Sequence, residues 1–187
     1  MHKRIDNFLP EDLFKNLQSL LLNGDENQIM PWYYRFAIAD YDDTEGFVFS
    51  NDIFDRGVIP DMGLFEEIAW PICSRIPMSS LIRMKINCHP RQTLRGSENY
   101  PKCRFHTDMK EEHTVGILSI NNCNGYTEFE DGTKLESIEN SLVIFDGKTK
   151  HRSVGQTDEN IRVNINLNFV SRPWEHLMEL DEKFNNR

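Results

Sequence analysis

The run Phe105-His106-Thr107-Asp108 sets a histidine and an aspartate two positions apart. On an extended strand, residues i and i+2 project from one face. His106 and Asp108 can therefore offer one metal ion an imidazole nitrogen and a carboxylate oxygen together. A second histidine, His151, closes the run Gly147-Lys148-Thr149-Lys150-His151. On a neighbouring strand it would complete a 2-His-1-carboxylate set, which suits non-haem Fe(II) and leaves coordination positions open. Eleven positions on, Arg162 lies in Ile161-Arg162-Val163-Asn164-Ile165-Asn166-Leu167. It alternates with apolar neighbours, so it points away from them. A guanidinium fork in such a place can grip a carboxylate with two parallel hydrogen bonds. Asn164 and Asn166 share its face and could bond that carboxylate or one another.

His-x-Asp alone is a weak signal, because a surface histidine capping a turn has the same local sequence. The ordered set of His-x-Asp, a later histidine and a basic residue, each in a period-2 apolar context, is far more specific. The remaining histidines read as bland. His113 falls on a turn and is expected to be solvated; His2 and His176 sit in terminal segments. On the stretch 80–88 and just beyond it, Arg83, Lys85, Asn87 and His89 share one face. Polar side chains on a core strand need partners or water. Asn87 is the preferred pocket residue of these four.

The elements that must position these residues follow from periodicity. A helix is expected over 10–23, where Leu13, Leu17, Leu20 and Leu21 form a stripe, Pro10 opens the first turn and Gly24 stops it. Residues 31–38 read as a strand added to a core sheet, and 39–46 as an acidic turn. A second helix is expected over 61–70, extending toward 76, capped by Asp61 and kinked or ended by Pro71. Eight short strands follow, near 80–88, 103–109, 113–121, 126–130, 134–138, 141–145, 150–155 and 161–170. Such a series fits a jelly roll. The polar loop 89–102, which holds Tyr100, and the loop 121–126 are expected to meet substrate. A short C-terminal helix is expected from Pro173. The fold class is thus mainly β, with a jelly-roll core and supporting N-terminal helices. The whole of 1–187 reads as one domain: a support region 1–79, a core 80–170 and a C-terminal helix 171–187.

On these residues the chain resembles the Fe(II)/2-oxoglutarate-dependent oxygenases, whose core is a double-stranded β-helix. The likeness is to the prolyl-4-hydroxylase-like branch, including short versions encoded by tailed phages. It covers roughly 80–170 and includes Ser141-Leu142-Val143-Ile144-Phe145-Asp146-Gly147 and Arg83-Met84-Lys85-Ile86-Asn87. The resemblance implies that His106, Asp108 and His151 bind iron and that Arg162 binds the C5 carboxylate of 2-oxoglutarate. Ser119 occupies a position where relatives place a hydroxyl that also reaches the cosubstrate. With Asn164 and Asn87, these make the implied cosubstrate set; no catalytic residue beyond the metal ligands is implied. The implied cofactors are Fe(II), 2-oxoglutarate and O₂, with ascorbate as a further candidate. The implied reaction hydroxylates a C–H bond of a peptide, protein or small molecule and releases succinate and CO₂. A carboxylate at Asp108 favours hydroxylation over halogenation. Two departures stand out. The glycine pair usual before the fourth core strand is reduced to Gly125, and the basic residue is arginine where collagen-type enzymes have lysine.

Composition sets the outer bounds. With 187 residues, 39% hydrophobic and 27% charged, the chain suits a folded globule. No apolar run is long enough to span a membrane, and the N-terminus lacks a secretory h-region. Cys73, Cys88, Cys103 and Cys123 form no CxxC and read as reduced. The expected location is the cytoplasm, or the host cytoplasm for a phage-encoded chain. A net charge of −9 argues against nucleic acid as partner. Yet 80–110 holds seven basic side chains against two acidic ones, which either attract an anion or guard a strand edge. Three other readings stay open: a non-catalytic metal-binding jelly roll, a zinc hydrolase on a similar barrel, and a nucleic-acid demethylase of the same superfamily.

Overall fold

The computed structural model describes residues 2–23, 30–38, 46–92 and 102–172. Within them lie β1 (His2–Ile5), β2 (Tyr33–Arg35), β3 (Val48–Asp55), β4 (Met78–Pro90), β5 (Thr114–Ser119), β6 (Cys123–Phe129), β7 (Lys134–Ser137), β8 (Leu142–Asp146), β9 (His151–Val154) and β10 (Ile161–Ser171). Helices are α1 (Glu11–Gln18), α2 (Met62–Leu64) and α3 (Trp70–Cys73). The strands form a seven-stranded sheet, β1-β8-β5-β10-β4-β3-β2, and a three-stranded sheet, β7-β6-β9. From β4 onward the chain crosses repeatedly between the two sheets, which wraps it into a double-stranded β-helix. The fold is mainly β, with a jelly-roll core and few helices. No helix among the described residues is long and apolar enough to cross a membrane. Gly24, Tyr100, His176 and the expected C-terminal helix lie outside the described residues, as do most of the acidic turn and of the loop 89–102.

One expected strand takes another form. The stretch 103–109 is no continuous strand but meets β9 through two isolated bridges, Lys102 with Val154 and His106 with His151. The register slips by one residue between them. The cause is visible at Cys103: its Sγ accepts the Ser153 N–H at 3.0 Å, in place of a backbone carbonyl. The ladder is broken there, but the reciprocal bonds at His106 and His151, 3.0 and 2.9 Å, remain.

The helices cover one face of the large sheet, as the apolar stripes require. Phe14, Leu17, Ile68 and Ile72 join Met84, Ile86, Val163, Ile165, Leu167 and Phe169 in one buried cluster. Asp61 caps α2, accepting the Leu64 N–H at 3.1 Å. Pro71 has no N–H for the carbonyl four residues back. The helix widens into a π-type stretch over Phe65–Ala69 just before it, with the Trp70 N–H bonded to Phe65 O. Pro71 is thereby carried into α3 and the helix does not end. A second apolar cluster, including Val115, Phe129, Val143 and Phe145, fills one half of the barrel interior. The other half is polar and holds the residues of interest.

Candidate metal centre

His106 and His151 are set by the paired bridge between their backbones, and their ring centroids lie 4.8 Å apart. Each ring is oriented by its own local turn. His106 Nδ1 lies 3.0 Å from Arg104 O, and His151 Nδ1 lies 3.0 Å from Thr149 O. A carbonyl oxygen only accepts, so each Nδ1 carries the proton and each Nε2 presents a lone pair. Those lone pairs face Asp108: Oδ1 is 3.8 Å from His106 Nε2 and 3.7 Å from His151 Nε2. The three ligand atoms lie within 4.8 Å of one another, close enough to hold one metal ion. Phe145 braces His151 from the apolar half of the barrel, edge to face at 5.1 Å.

The outer oxygen of Asp108 is held by a network from β10 and β4. Oδ2 accepts from Asn168 Nδ2 at 2.7 Å and from Asn166 Nδ2 at 3.1 Å. Arg83 Nη2 lies 3.7 Å away, and Arg83 Nε donates to Asn168 Oδ1 at 2.9 Å. Burial pushes the Asp108 carboxyl up. The adjoining His151 ring, the Asn168 amide and the Arg83 charge outweigh burial and hold it well below the usual carboxylate range. The carboxylate is thus ionised, with Oδ1 aimed at the histidines and Oδ2 anchored behind. Asn168 and Arg83 were not singled out as site residues from sequence. The signal existed: Asn168 continues the i+2 series through 162, 164 and 166, and Arg83 pairs with it across β4.

Arg162 lies at the other end of the same polar wall, 3% exposed. Its Nη1 donates to Tyr126 O, Ser153 Oγ and Val154 O at 3.1–3.2 Å, and Nη2 donates to Thr127 Oγ1 at 3.3 Å. Its Nε has no partner. Burial pushes its pKa down, offset in part by the nearby thiols of Cys123 and Cys103. Among the described residues no carboxylate neutralises it. Gly125 makes its seat: a Cβ there would stand 3.1 Å from Arg162 Cδ and from the Gln156 backbone. A cavity of about 60 Å³ joins Arg162 to the triad, with Asn87, Asn164 and His89 along its wall.

No family model and no curated protein matches the chain. Solved structures do. A prolyl-4-hydroxylase from Pseudomonas putida is 15% identical over 91% of this chain and 92% of its own, with a TM-score of 0.55. A viral collagen prolyl hydroxylase from Paramecium Bursaria Chlorella virus-1, in complex with 2-oxoglutarate, is 10% identical over 91% and 96%, at 0.53. A Trichoplax adhaerens prolyl hydroxylase, bound to a hypoxia inducible factor oxygen degradation domain peptide, is 14% identical over 94% and 86%, at 0.57. The fold is that of the prolyl hydroxylases and related 2OG-Fe(II) oxygenases. At these identities the likeness is one of fold.

Within that oxygenase fold the other expected residues are distributed unevenly. Asn87 Nδ2 donates to Asn164 Oδ1 at 3.1 Å, so the two amides face each other on the cavity wall. Asn166 serves Asp108 instead of bonding Asn164. Ser119 is buried opposite Asn164 on β5 but does not line the cavity. His89 is buried and lines it; burial first, then the Arg162 and Lys85 charges, push its pKa well below the usual value, so the ring is neutral. His113 is not solvated. It is buried, its Nδ1 lies 2.8 Å from Glu111 O, and its ring packs where a Cβ on Gly147 would stand. Most of 121–126 is β6, so it offers little loop for substrate. None of the four cysteines is in a disulfide; burial pushes the Cys73 and Cys88 thiols up to about 11.

Proposed function

We propose that the protein is an Fe(II)- and 2-oxoglutarate-dependent oxygenase that hydroxylates a C–H bond of a peptide, protein or small molecule, with succinate and CO₂ as co-products. In this reading residues 80–170 are the catalytic core and the preceding segment supports it. The observation that carries it is Arg162: a buried guanidinium with a free Nε and, among the described residues, no carboxylate partner, at the far end of a cavity that begins at His106, Asp108 and His151. An uncompensated buried charge is costly. A site built to receive an anion explains it, and a dicarboxylate that chelates the metal at one end fits both ends.

Fe(II) with 2-oxoglutarate and O₂ supplies the oxidising chemistry when bound. The chain's own part is binding and orientation. His106 and His151 present Nε2, Asp108 presents Oδ1, and Asn166, Asn168 and Arg83 keep that carboxylate ionised and aimed. Arg162 takes the distal carboxylate, with the Asn87–Asn164 amide pair alongside. A peptide substrate is kept in view by the Trichoplax neighbour, which is bound to a peptide. A non-catalytic metal site, or a zinc hydrolase, leaves Arg162 without a task.

The test is purified protein with Fe(II), ascorbate and 2-oxoglutarate, assayed for succinate release. Slow uncoupled turnover that requires both metal and oxoacid, and that disappears in His106→Ala, is expected. Turnover-free protein that binds iron but not 2-oxoglutarate would sink the reading.

A further inference from the structure

The inner face of the β4–β10 pair is a ladder of four polar rungs: Arg162 with His89, Asn164 with Asn87, Asn166 with Lys85, and Asn168 with Arg83. Three rungs have their duties. Arg162 faces the cavity floor, the two amides of the second rung bond each other, and Arg83 bonds Asn168 beside Asp108. Lys85 stands apart. Among the described residues no carboxylate or carbonyl comes within bonding distance of its Nζ, although it is half-buried and Asp108 and Asp52 contribute only through space. Directly across the strand pair, Asn166 Oδ1 also lacks a donor. A neutral oxygen could satisfy one N–H of Lys85 but not its charge.

Lys85 and Ile38 are shared by two cavities: the metal cavity and a larger one of about 360 Å³ beside it. The larger one is in the size range of small-molecule sites. Its charges are accounted for except one. Arg35 pairs with Asp52 at 3.2 Å, Asp55 lies 3.6 Å from Arg56, and Arg83 is bonded as above. Tyr34 and Phe36, 61% and 50% exposed, offer it aromatic surface. Asn166, across from Lys85, lies four residues along β10 from Arg162, roughly 13 Å at a strand rise of ~3.3 Å per residue. Lys85 therefore belongs to the metal's end of the ladder and not to the distal-carboxylate end.

We propose that the larger cavity is the primary-substrate subsite and that Lys85 reads a carboxylate or phosphate on the substrate, whose organic body lies against Tyr34 and Phe36. This rests on the oxygenase reading above and names its substrate class: an anion-bearing molecule, held so that a carbon beside the anionic end faces the metal.

The experiment uses the full chain with Fe(II) and saturating 2-oxoglutarate under anaerobic conditions, so that nothing turns over. Benzoate, phenyl phosphate and benzyl alcohol are titrated by calorimetry into wild type, Lys85→Met and Lys85→Arg, with thermal melting run alongside. At least one anion binds the wild type, loses at least about tenfold in Lys85→Met, as expected for one charged hydrogen bond, and is largely retained in Lys85→Arg. Benzyl alcohol shows no dependence on residue 85. The ratio of benzoate to phenyl phosphate affinity separates carboxylate from phosphate. The proposal is overturned if neither anion binds the wild type, or if Lys85→Met binds them equally well. Loss of 2-oxoglutarate affinity in Lys85→Met would give Lys85 to the cosubstrate, overturning the proposal and leaving the oxygenase reading intact. A wild type that takes the anions but no 2-oxoglutarate would sink that reading instead.

Discussion

Strand β10 has two faces of opposite chemistry that are buried to the same degree. Val163, Ile165, Leu167 and Phe169 pack on the helices; Arg162, Asn164, Asn166 and Asn168 face the barrel, and all eight are buried. An ordinary half-buried strand alternates core with solvent. Here the polar face is also shut away from bulk water: the asparagines bond Asp108 and side chains of β4, and Arg162 bonds groups of β6 and β9. Burial of the apolar face needs no further explanation, because hydrocarbon removed from water is the main drive of folding. Burial of an arginine and three asparagines does need one, and the proposed metal and anion site provides it. The outer face should therefore govern stability and the inner face binding.

The largest break in this division would come from the outer face. Phe169→Ala should cost about 3–5 kcal/mol by cavity formation, read from chemical denaturation, while the folded fraction keeps its iron affinity. A fall in iron affinity matching the fall in stability would show the two faces to be one unit. On the inner face, Arg162→Met should lower 2-oxoglutarate affinity by about 100-fold, near 2.7 kcal/mol, with a far smaller change in stability. Titration of the oxoacid into Fe(II)-loaded variant decides this, and unchanged affinity would mean another residue holds the carboxylate. Asn168→Leu removes the 2.7 Å anchor of Asp108 and the acceptor of Arg83 Nε. Iron affinity should fall about 10–100-fold, the usual effect of losing an outer partner of a ligand, as measured by competition with a chelator.

The smallest effect concerns pH and sharpens the comparison. His89 is buried neutral with its pKa depressed, whereas the unfolded chain protonates it near pH ~6.5. The unfolded state thus binds the extra proton as pH falls below that value. Folding stability should decline there with a slope of at most ~1.4 kcal/mol per pH unit for this one group. The loss is complete once pH drops below the folded value. His89→Gln should flatten that slope; an unchanged slope between about pH 6 and 5 would assign it to other groups.

Some of this was legible along the chain and some was not. The strand spacing of β10 and the run before His151 are regular, so the core strands and the residues facing inward could be read off period 2. β3 was not read, because Ser50-Asn51-Asp52 interrupts its apolar pattern and a register shift between Asp52 and Phe54 breaks the alternation. Ser50 and Asn51 are nonetheless buried, and Asn51 Nδ2 bonds Pro31 O at 2.8 Å. β1 was not read either. His2-Lys3-Arg4-Ile5 has no strand signature, and it is extended because the edge of β8 offers it a ladder from Ile5 with Leu142 to His2 with Phe145. His113 looked solvated because its neighbours are charged, yet Gly147, distant in sequence, leaves the space its ring fills.

The sequence by itself determined which side chains could meet. A same-face pair at His106 and Asp108, a later histidine and an alternating Arg162 are consequences of strand geometry, which is local. Only the tertiary structure decided what each polar group does once there. Asn166 and Asn168 hold Asp108, Asn164 turns to Asn87, Ser119 stays off the cavity and Lys85 is left without a partner among the described residues, because hydrogen-bond assignments depend on which strand lies alongside. That choice is made by the packing of the sheets and helices, through contacts between residues far apart in the chain.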